Sequence, residues 1–384
     1  MNEFLTGEAG TGKTTLLKSR CALPNYGMMV ATTGIAAVNL GTQTLASLLK
    51  FYDTASMARH AHTGKLQRVL GGLVDTGVLG SHLCIDEASM LEAAQLDLLH
   101  AAVNYVCPDV SIVLTGDFAQ LPPVSGEFAF KAACWPEFER NITRLTENFR
   151  QEGDVQFLRA CNLIRKGNTE GVVALMVAGA SFERNVDTAF GGMTLFPTND
   201  EADRMNGMRF ARLAGAPQIY VTTRKGKQAM DWTDIPDATM LKVGTRVMIT
   251  ANEPATLAYA NGDLGTIVSL RGEEIDVALD RHVSLVTVGK VTRRNFDYRG
   301  HAAKYLGEIT YLPVKLGYAL TIHKAQGLTL GSVQVVTNHW FAGSPALMYV
   351  AISRARRARD VRIVGTPADL ATKIKAHPDA ERWL

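Results

Sequence analysis

Short apolar runs separated by polar, glycine-containing turns and by helical repeats mark the first third of the chain. The runs Glu3–Thr6, Met28–Thr32, Leu83–Ile85 and Ser111–Thr115 have the length of strands, and Leu96, Leu99 and Val103 recur between them at helical spacing. That alternation predicts a parallel sheet flanked by helices, whose ligands lie at the turns that end the strands. Glycines and mixed polarity break the rhythm over Phe51–Gly80, which predicts a small insertion. Alternation resumes at Met193–Phe196 and returns at Ser332–Thr337 and Val361–Val364. In between, Ile275, Val277 and Leu279 alternate with Asp276, Ala278 and Asp280, and Asn261-Gly262 and Arg271-Gly272 supply turns. A period of two with such turns predicts a small antiparallel β module. The expected organisation is an α/β chain with two similar lobes. Residues 1–150 form the first lobe (insertion at about 51–80), residues 151–240 and 313–384 the second, and 241–312 the inserted module.

At 384 residues there is room for two or three domains, and 47% apolar content argues for packed cores rather than disorder. A net charge of +3 suits a nucleic-acid partner without demanding one. Cys21, Cys84, Cys107, Cys134 and Cys161 lack the spacing of a zinc site or disulfide framework, which points to a reducing compartment. Cys84 and Cys107 read as buried small hydrophobes. No run is long enough to span a bilayer, and the amino terminus does not read as a signal peptide.

The sharpest chemical signal is Gly7-Glu-Ala-Gly-Thr-Gly12-Lys13-Thr14, a complete phosphate-binding loop between a strand and a helix. Its glycines turn backbone N–H groups toward phosphates, Lys13 reaches the β/γ oxygens, and the Thr14 hydroxyl can hold Mg²⁺. Gly7, Ala9, Gly10, Thr11, Gly12, Lys13, Thr14 and Thr15 are therefore the candidate nucleotide-binding residues. The strand Leu83–Ile85 delivers Asp86, which would hold the metal through water, and Glu87, which would orient or deprotonate the attacking water. After the next strand, Pro122 and Pro123 stiffen a loop that would fix Gln120 near the γ-phosphate.

The run Thr115-Gly-Asp-Phe-Ala-Gln120-Leu-Pro-Pro-Val124 resembles motif III of superfamily 1 helicases, in the branch that holds the RecD subunit and the petite-integration-frequency helicases. Further motifs follow in order over nearly the whole chain. Val30–Ala37 is similar to motif Ia, Leu145–Arg150 to motif IV, Thr321–Gly327 to motif V and Tyr349–Arg356 to motif VI, and Phe196–Asn199 matches a strand-contacting turn. The resemblance implies two RecA-like lobes, an SH3-like β module, and ATP with Mg²⁺ as cofactors. It implies a monomer moving 5′→3′ on single-stranded DNA, cytoplasmic in a bacterial or phage-infected cell and on the nucleoid when at work. Arg150 and Arg354 would complete the catalytic set of Lys13, Glu87 and Gln120, both reaching in from the second lobe, and an arginine so placed is worth ~10³–10⁵ in rate. Thr33, Asn199, Thr321 and His323 are the implied phosphate or sugar contacts. Arg356, Arg357 and Arg359 read as a solvated basic face, and Phe51 and Tyr52 as core aromatics rather than base-stacking ones.

The chain departs from the branch in two places. Only six residues precede Gly7, so the glutamine segment that recognises adenine is not in the sequence; relaxed ATP selectivity or a shortened start is expected. Thr44-Leu45-Ala46-Ser47 stands where the branch often shows Thr-x-His-Ser, so the grip on the strand is expected to be weaker or displaced. With no obvious wedge in the insertion, translocation is a safer expectation than unwinding. An RNA-directed ATPase and a nucleotide-switched nucleic-acid-binding protein stay open on the residues alone.

Overall fold

Five parallel strands, β1 (Glu3–Gly7), β2 (Gly27–Ala31), β3 (His82–Asp86), β4 (Ser111–Gly116) and β5 (Ile142–Leu145), form the first sheet in the order β2-β3-β4-β1-β5. They are seen in a computed structural model that describes residues 1–226, 235–251, 253, 258–259, 262–280, 285–297 and 304–384. Every residue of β4 is buried, as expected of an apolar strand covered on both faces. From β1 the chain leaves toward β2 on one side, while β5 lies on the other. The loop after β1 thus opens where the connections diverge, the usual ligand position in open α/β sheets.

Helix α1 (Lys13–Cys21) follows that loop, and α2 (Gly34–Leu40) and α3 (Leu45–Leu49) follow β2. The expected insertion is two helices, α4 (Thr54–His62) and α5 (Lys65–Asp75), which pack on each other and on α6 (Ala93–Val106). Met57, Leu66 and Leu70 are wholly buried there with Leu96 and Leu99, so this segment is part of the lobe's core. A capping box between Asp53 and Ser56 starts α4. After α7 (Trp135–Glu139), Phe4, Phe118, Phe130 and Trp135 join Trp383 from the chain's end in an aromatic cluster with ring centroids 4.8–6.5 Å apart.

Helices α8 (Val155–Arg165) and α9 (Glu170–Val177) lead to β6 (Ser181–Glu183) and β7 (Met193–Phe196), after which α10 (Asn199–Ala211) opens an excursion. Asp200–Ala319 form a compact unit of their own. It holds β8 (Gln218–Val221), β9 (Thr223–Lys225), β10 (Ala238–Leu241), β11 (Arg246–Ile249), β12 (Leu264–Arg271), β13 (Glu274–Leu279), β14 (Leu285–Gly289), β15 (Val291–Asp297), β16 (Lys304–Tyr311) and β17 (Val314–Leu316). Five of these make an antiparallel sheet in the order β14-β13-β12-β11-β17. Ile275, Val277 and Leu279 are buried as their alternation predicts, and Arg271-Gly272 makes the β12–β13 turn. Asp276, expected to face outward, is buried instead; Thr287 and Arg271 satisfy its carboxylate. The other expected turn residue, Asn261, lies outside the described residues. Asn206 of α10 closes the excursion, donating to the Ala319 carbonyl and accepting from the Tyr318 and Ala319 N–H groups at 2.8–3.0 Å.

The chain then re-enters a second sheet of β18 (Ala319–Thr321), β19 (Val333–Val336) and β20 (Val361–Val364) with β6 and β7, in the order β18-β7-β19-β20-β6. Strands β7, β19, β20 and β6 run parallel. Helices α11 (Ile322–Ala325), α12 (Leu347–Ile352) and α13 (Pro367–Lys373) complete this part. Both parallel sheets belong to one compact unit, Met1–Asn199 with Leu320–Leu384. Among the described residues no helix is long and apolar enough to cross a membrane.

Candidate nucleotide site and nucleic-acid interface

The loop Gly7–Gly12 turns through left-handed backbone at Gly10 (φ 92°) and Gly12 (φ 78°). A Cβ on Gly10 would come within 2.6 Å of the Arg150 Cβ, so that position admits glycine alone. Lys13, buried at the start of α1, donates from Nζ to the Gly7 and Glu8 carbonyls at 2.7 and 2.8 Å. Burial pushes its ammonium pKa down, while Asp117, Glu87 and Asp86 pull it up. Asn148 braces the loop by donating to the Ala9 carbonyl at 2.8 Å, and the Phe149 N–H donates to the Gly10 carbonyl at 2.9 Å. Thr11 turns its hydroxyl to the Glu8 carbonyl at 2.9 Å, and Thr15 is exposed on α1.

Asp86 ends β3. Its Oδ2 accepts from the Thr14 hydroxyl at 2.7 Å, and its Oδ1 from the Thr115 hydroxyl and the Glu87 N–H. A hydroxyl and a carboxylate brought together at the mouth of a phosphate-binding loop are the hard oxygen donors that Mg²⁺ takes, so these residues fit the metal. Glu87 is one of four non-glycine residues with positive φ (58°) among those described. Burial, with Asp86 beside it, holds its carboxyl above the usual range. Gln120 is buried, and its Oε1 has no hydrogen-bond partner among the described residues.

One expectation about the arginines needs correction. Arg150 lies beyond β5 and so extends from the first sheet, not the second, because β5 pairs with β1. It reaches across to the Ser353 carbonyl at 3.1 Å, where Gln151 also donates to the Ala355 carbonyl at 3.1 Å. Arg354 follows α12 and is 1% exposed. Its guanidinium donates to the Val350 and Leu328 carbonyls and to the Ser353 hydroxyl, at 2.8–3.2 Å. Burial works against the charge on both arginines, and at Arg150 the neighbouring Arg354 charge adds to that cost. Arg356, Arg357 and Arg359 are exposed, as a solvated face requires.

Several residues that bind the site together carry no role in the sequence reading. The Tyr349 hydroxyl accepts from the Ala9 N–H at 3.0 Å and donates to Asp117 Oδ2 at 3.2 Å, which joins motif VI to the phosphate loop and to motif III. Asp117 is fully buried; against that burial, Arg165 holds its carboxyl below the usual range with an ion pair at 2.8 Å. Gln326 donates to Glu87 Oε2 at 3.1 Å and to Ser89 Oγ at 3.2 Å. These partners lie up to 340 residues apart, so local spacing offers no signal for them.

The strand-contact candidates do not converge in the same way. Thr33 Oγ1 accepts from the Ala36 N–H at 3.2 Å at the start of α2, and Thr321 caps α11 by accepting from the Lys324 N–H at 3.3 Å. Asn199 accepts from Lys324 Nζ at 3.0 Å, so motif V and the Phe196–Asn199 turn do meet. His323 is half-buried, its ring 6.1 Å from that of Phe341, and burial lowers its pKa. Phe51 packs against the core, but Tyr52 is 79% exposed, contrary to the expectation, with its hydroxyl accepting from Arg59 at 3.0 Å.

Comparison with known proteins places this arrangement. Residues 2–182 match the AAA domain family. The ATP-dependent DNA helicase PIF1 of Danio rerio is 29% identical over 94% of this chain, which spans 58% of that protein. The crystal structure of Pif1 helicase from Candida albicans superposes with a TM-score of 0.82 at 25% identity, covering 100% of this chain and 95% of that one. Pif1 helicase from Bacteroides, solved with ADP-AlF3 and single-stranded DNA, gives a TM-score of 0.74 at 25% identity, covering 99% and 91%.

Proposed function

We propose that the chain is a Pif1-family superfamily 1 DNA helicase, its two parallel sheets the RecA-like lobes, and that it is an ATP-driven motor on single-stranded DNA. The observation that carries this reading is the convergence of Lys13, Asp86, Glu87, Gln326, Tyr349, Arg150 and Arg354 on one cleft between the two sheets. A phosphate-binding loop alone would serve many enzymes; one sealed by an arginine and a tyrosine from a second parallel sheet serves conversion of phosphate chemistry into movement.

In the proposed reaction, the loop N–H groups and Lys13 bind the phosphates of ATP once Lys13 gives up the Gly7 and Glu8 carbonyls. Thr14 and Asp86 would hold Mg²⁺, which supplies charge neutralisation to the β/γ oxygens when bound. Glu87 orients the attacking water and takes its proton, helped by a pKa already raised. Gln120 offers to the same water its Oε1, which has no hydrogen-bond partner among the described residues. Arg150 and Arg354 trade carbonyl partners for the transferring phosphoryl group, so binding draws the sheets together and release lets them part. One chain carries the whole set, so the motor works as a monomer.

Residues 1–150 are read as the first lobe and 151–199 with 320–384 as the second, and the β-rich unit Asp200–Ala319, wider than the expected 241–312, as the insertion. The relatives' names and bound single strand support DNA over RNA. Direction is 5′→3′. Displacement of streptavidin from end-biotinylated dT oligonucleotides tests this: ATP should speed release from the 3′ end. Equal or absent release from both ends rejects the translocating motor, and faster release from the 5′ end rejects the direction.

A further inference from the structure

Gln326 directly follows α11, and its side chain is 1% exposed. Its amide has two acceptors, Glu87 Oε2 at 3.1 Å and Ser89 Oγ at 3.2 Å, both from the segment after β3. Its Oε1 is buried without a hydrogen-bond partner among the described residues. A buried amide whose two N–H bonds are spent on one loop while its oxygen has none is held for what it donates to. Its main acceptor needs holding: Glu87 has a left-handed φ of 58°, a conformation that a residue with a Cβ keeps only where its surroundings impose it.

The other end of the same helical turn faces different partners. Thr321 caps it, His323 lies within it, and Lys324 ties it to Asn199 at 3.0 Å. Three of the four strand-contact candidates and the residue that grips Glu87 therefore hang on a single turn of helix. Gln326 is the C-cap of this turn and lies three residues from His323, so a displacement of His323 or of the Thr321 cap is carried along the backbone to Gln326.

We infer that Gln326 is a positioning residue through which a strand seated against α11 sets the place of Glu87 and so licenses hydrolysis. The inference rests on the motor reading above. Because coupling between two sites is reciprocal, it demands that the nucleotide state change strand affinity through the same contact.

The test compares wild type with Gln326→Met, which keeps the volume and donates nothing, and Gln326→Glu, which keeps the shape and sets a second carboxylate against Glu87. kcat and KM for ATP are measured with and without poly-dT. The Kd for a dT oligonucleotide is measured with and without ADP–aluminium fluoride. Both variants should keep KM within about threefold while stimulation by poly-dT falls about tenfold or more, the ordinary size of a coupling between sites. The effect of ADP–aluminium fluoride on oligonucleotide Kd should shrink by a similar factor. If either variant keeps wild-type stimulation and wild-type linkage of Kd, Gln326 does not carry the coupling. Should one variant fail to bind nucleotide, the other decides. A wild-type rate indifferent to poly-dT would instead sink the motor reading itself, which keeps the two failures apart.

Discussion

The nucleotide cleft and the strand-contact residues are built on opposite plans, although both lie in the same compact unit. In the cleft, side chains distant in sequence interlock at 2.7–3.2 Å: Thr14 with Asp86, Tyr349 with Ala9 and Asp117, Gln326 with Glu87, Arg150 with the Ser353 carbonyl. The strand-contact candidates instead serve their own neighbourhoods, as helix caps at Thr33 and Thr321 or as a partner for Lys324 at Asn199. Cleft geometry demands specific atoms at specific points, whereas holding a polymer by its backbone asks only for donors spread along a path. The contrast predicts large, all-or-none losses from cleft substitutions and small, graded ones from the strand side.

The largest effects belong to the cleft. Lys13→Ala should reduce ATP turnover to background, and Arg354→Ala should bind ATP within a few-fold of wild type while hydrolysing it ~10³–10⁵ more slowly. Near-normal hydrolysis by Arg354→Ala would break the comparison at its strongest point. Tyr349→Phe comes next. It strips a partner from the Ala9 N–H and from Asp117, so stability in urea should fall by about 1–3 kcal/mol.

On the strand side, Thr321→Val should cost about 1 kcal/mol through the lost cap of α11, and weaken oligonucleotide binding only as far as that turn frays. His323→Ala should be smaller still and should leave the salt dependence of binding unchanged. Burial lowers the pKa of His323 below its unfolded value, so it is neutral at pH 7 and releases no counterion. The sign also fixes a stability trend: His323 costs nothing above pH 6.5, and stability falls as pH drops below that value toward the folded pKa. A salt slope shallower by about one in His323→Ala would show a charged contact instead.

The same contrast explains what the sequence disclosed. Strands Met193–Phe196 and Val361–Val364 match the structure at both ends, because four apolar residues between polar turns leave little choice. Contiguity made the phosphate loop legible, since one short stretch carries all its chemistry. Helices α4 and α5 were hidden by glycines and charges on their solvent faces, though Met57, Leu66 and Leu70 anchor them in the core. Short β5 and β6, with half-exposed patterns, gave no apolar run to read. With β5 unread, nothing tied Arg150 to the first sheet, and it was assigned to the wrong lobe. Tyr349 and Gln326 stood in quoted motifs, but what they do depends on partners more than 200 residues away.

Phosphate release from ATP, with and without poly-dT and with Lys13→Ala as the blank, tests the central claim most directly. The account predicts a large stimulation by DNA that vanishes in the variant. Hydrolysis that runs at the same rate whether or not any nucleic acid is present would contradict it.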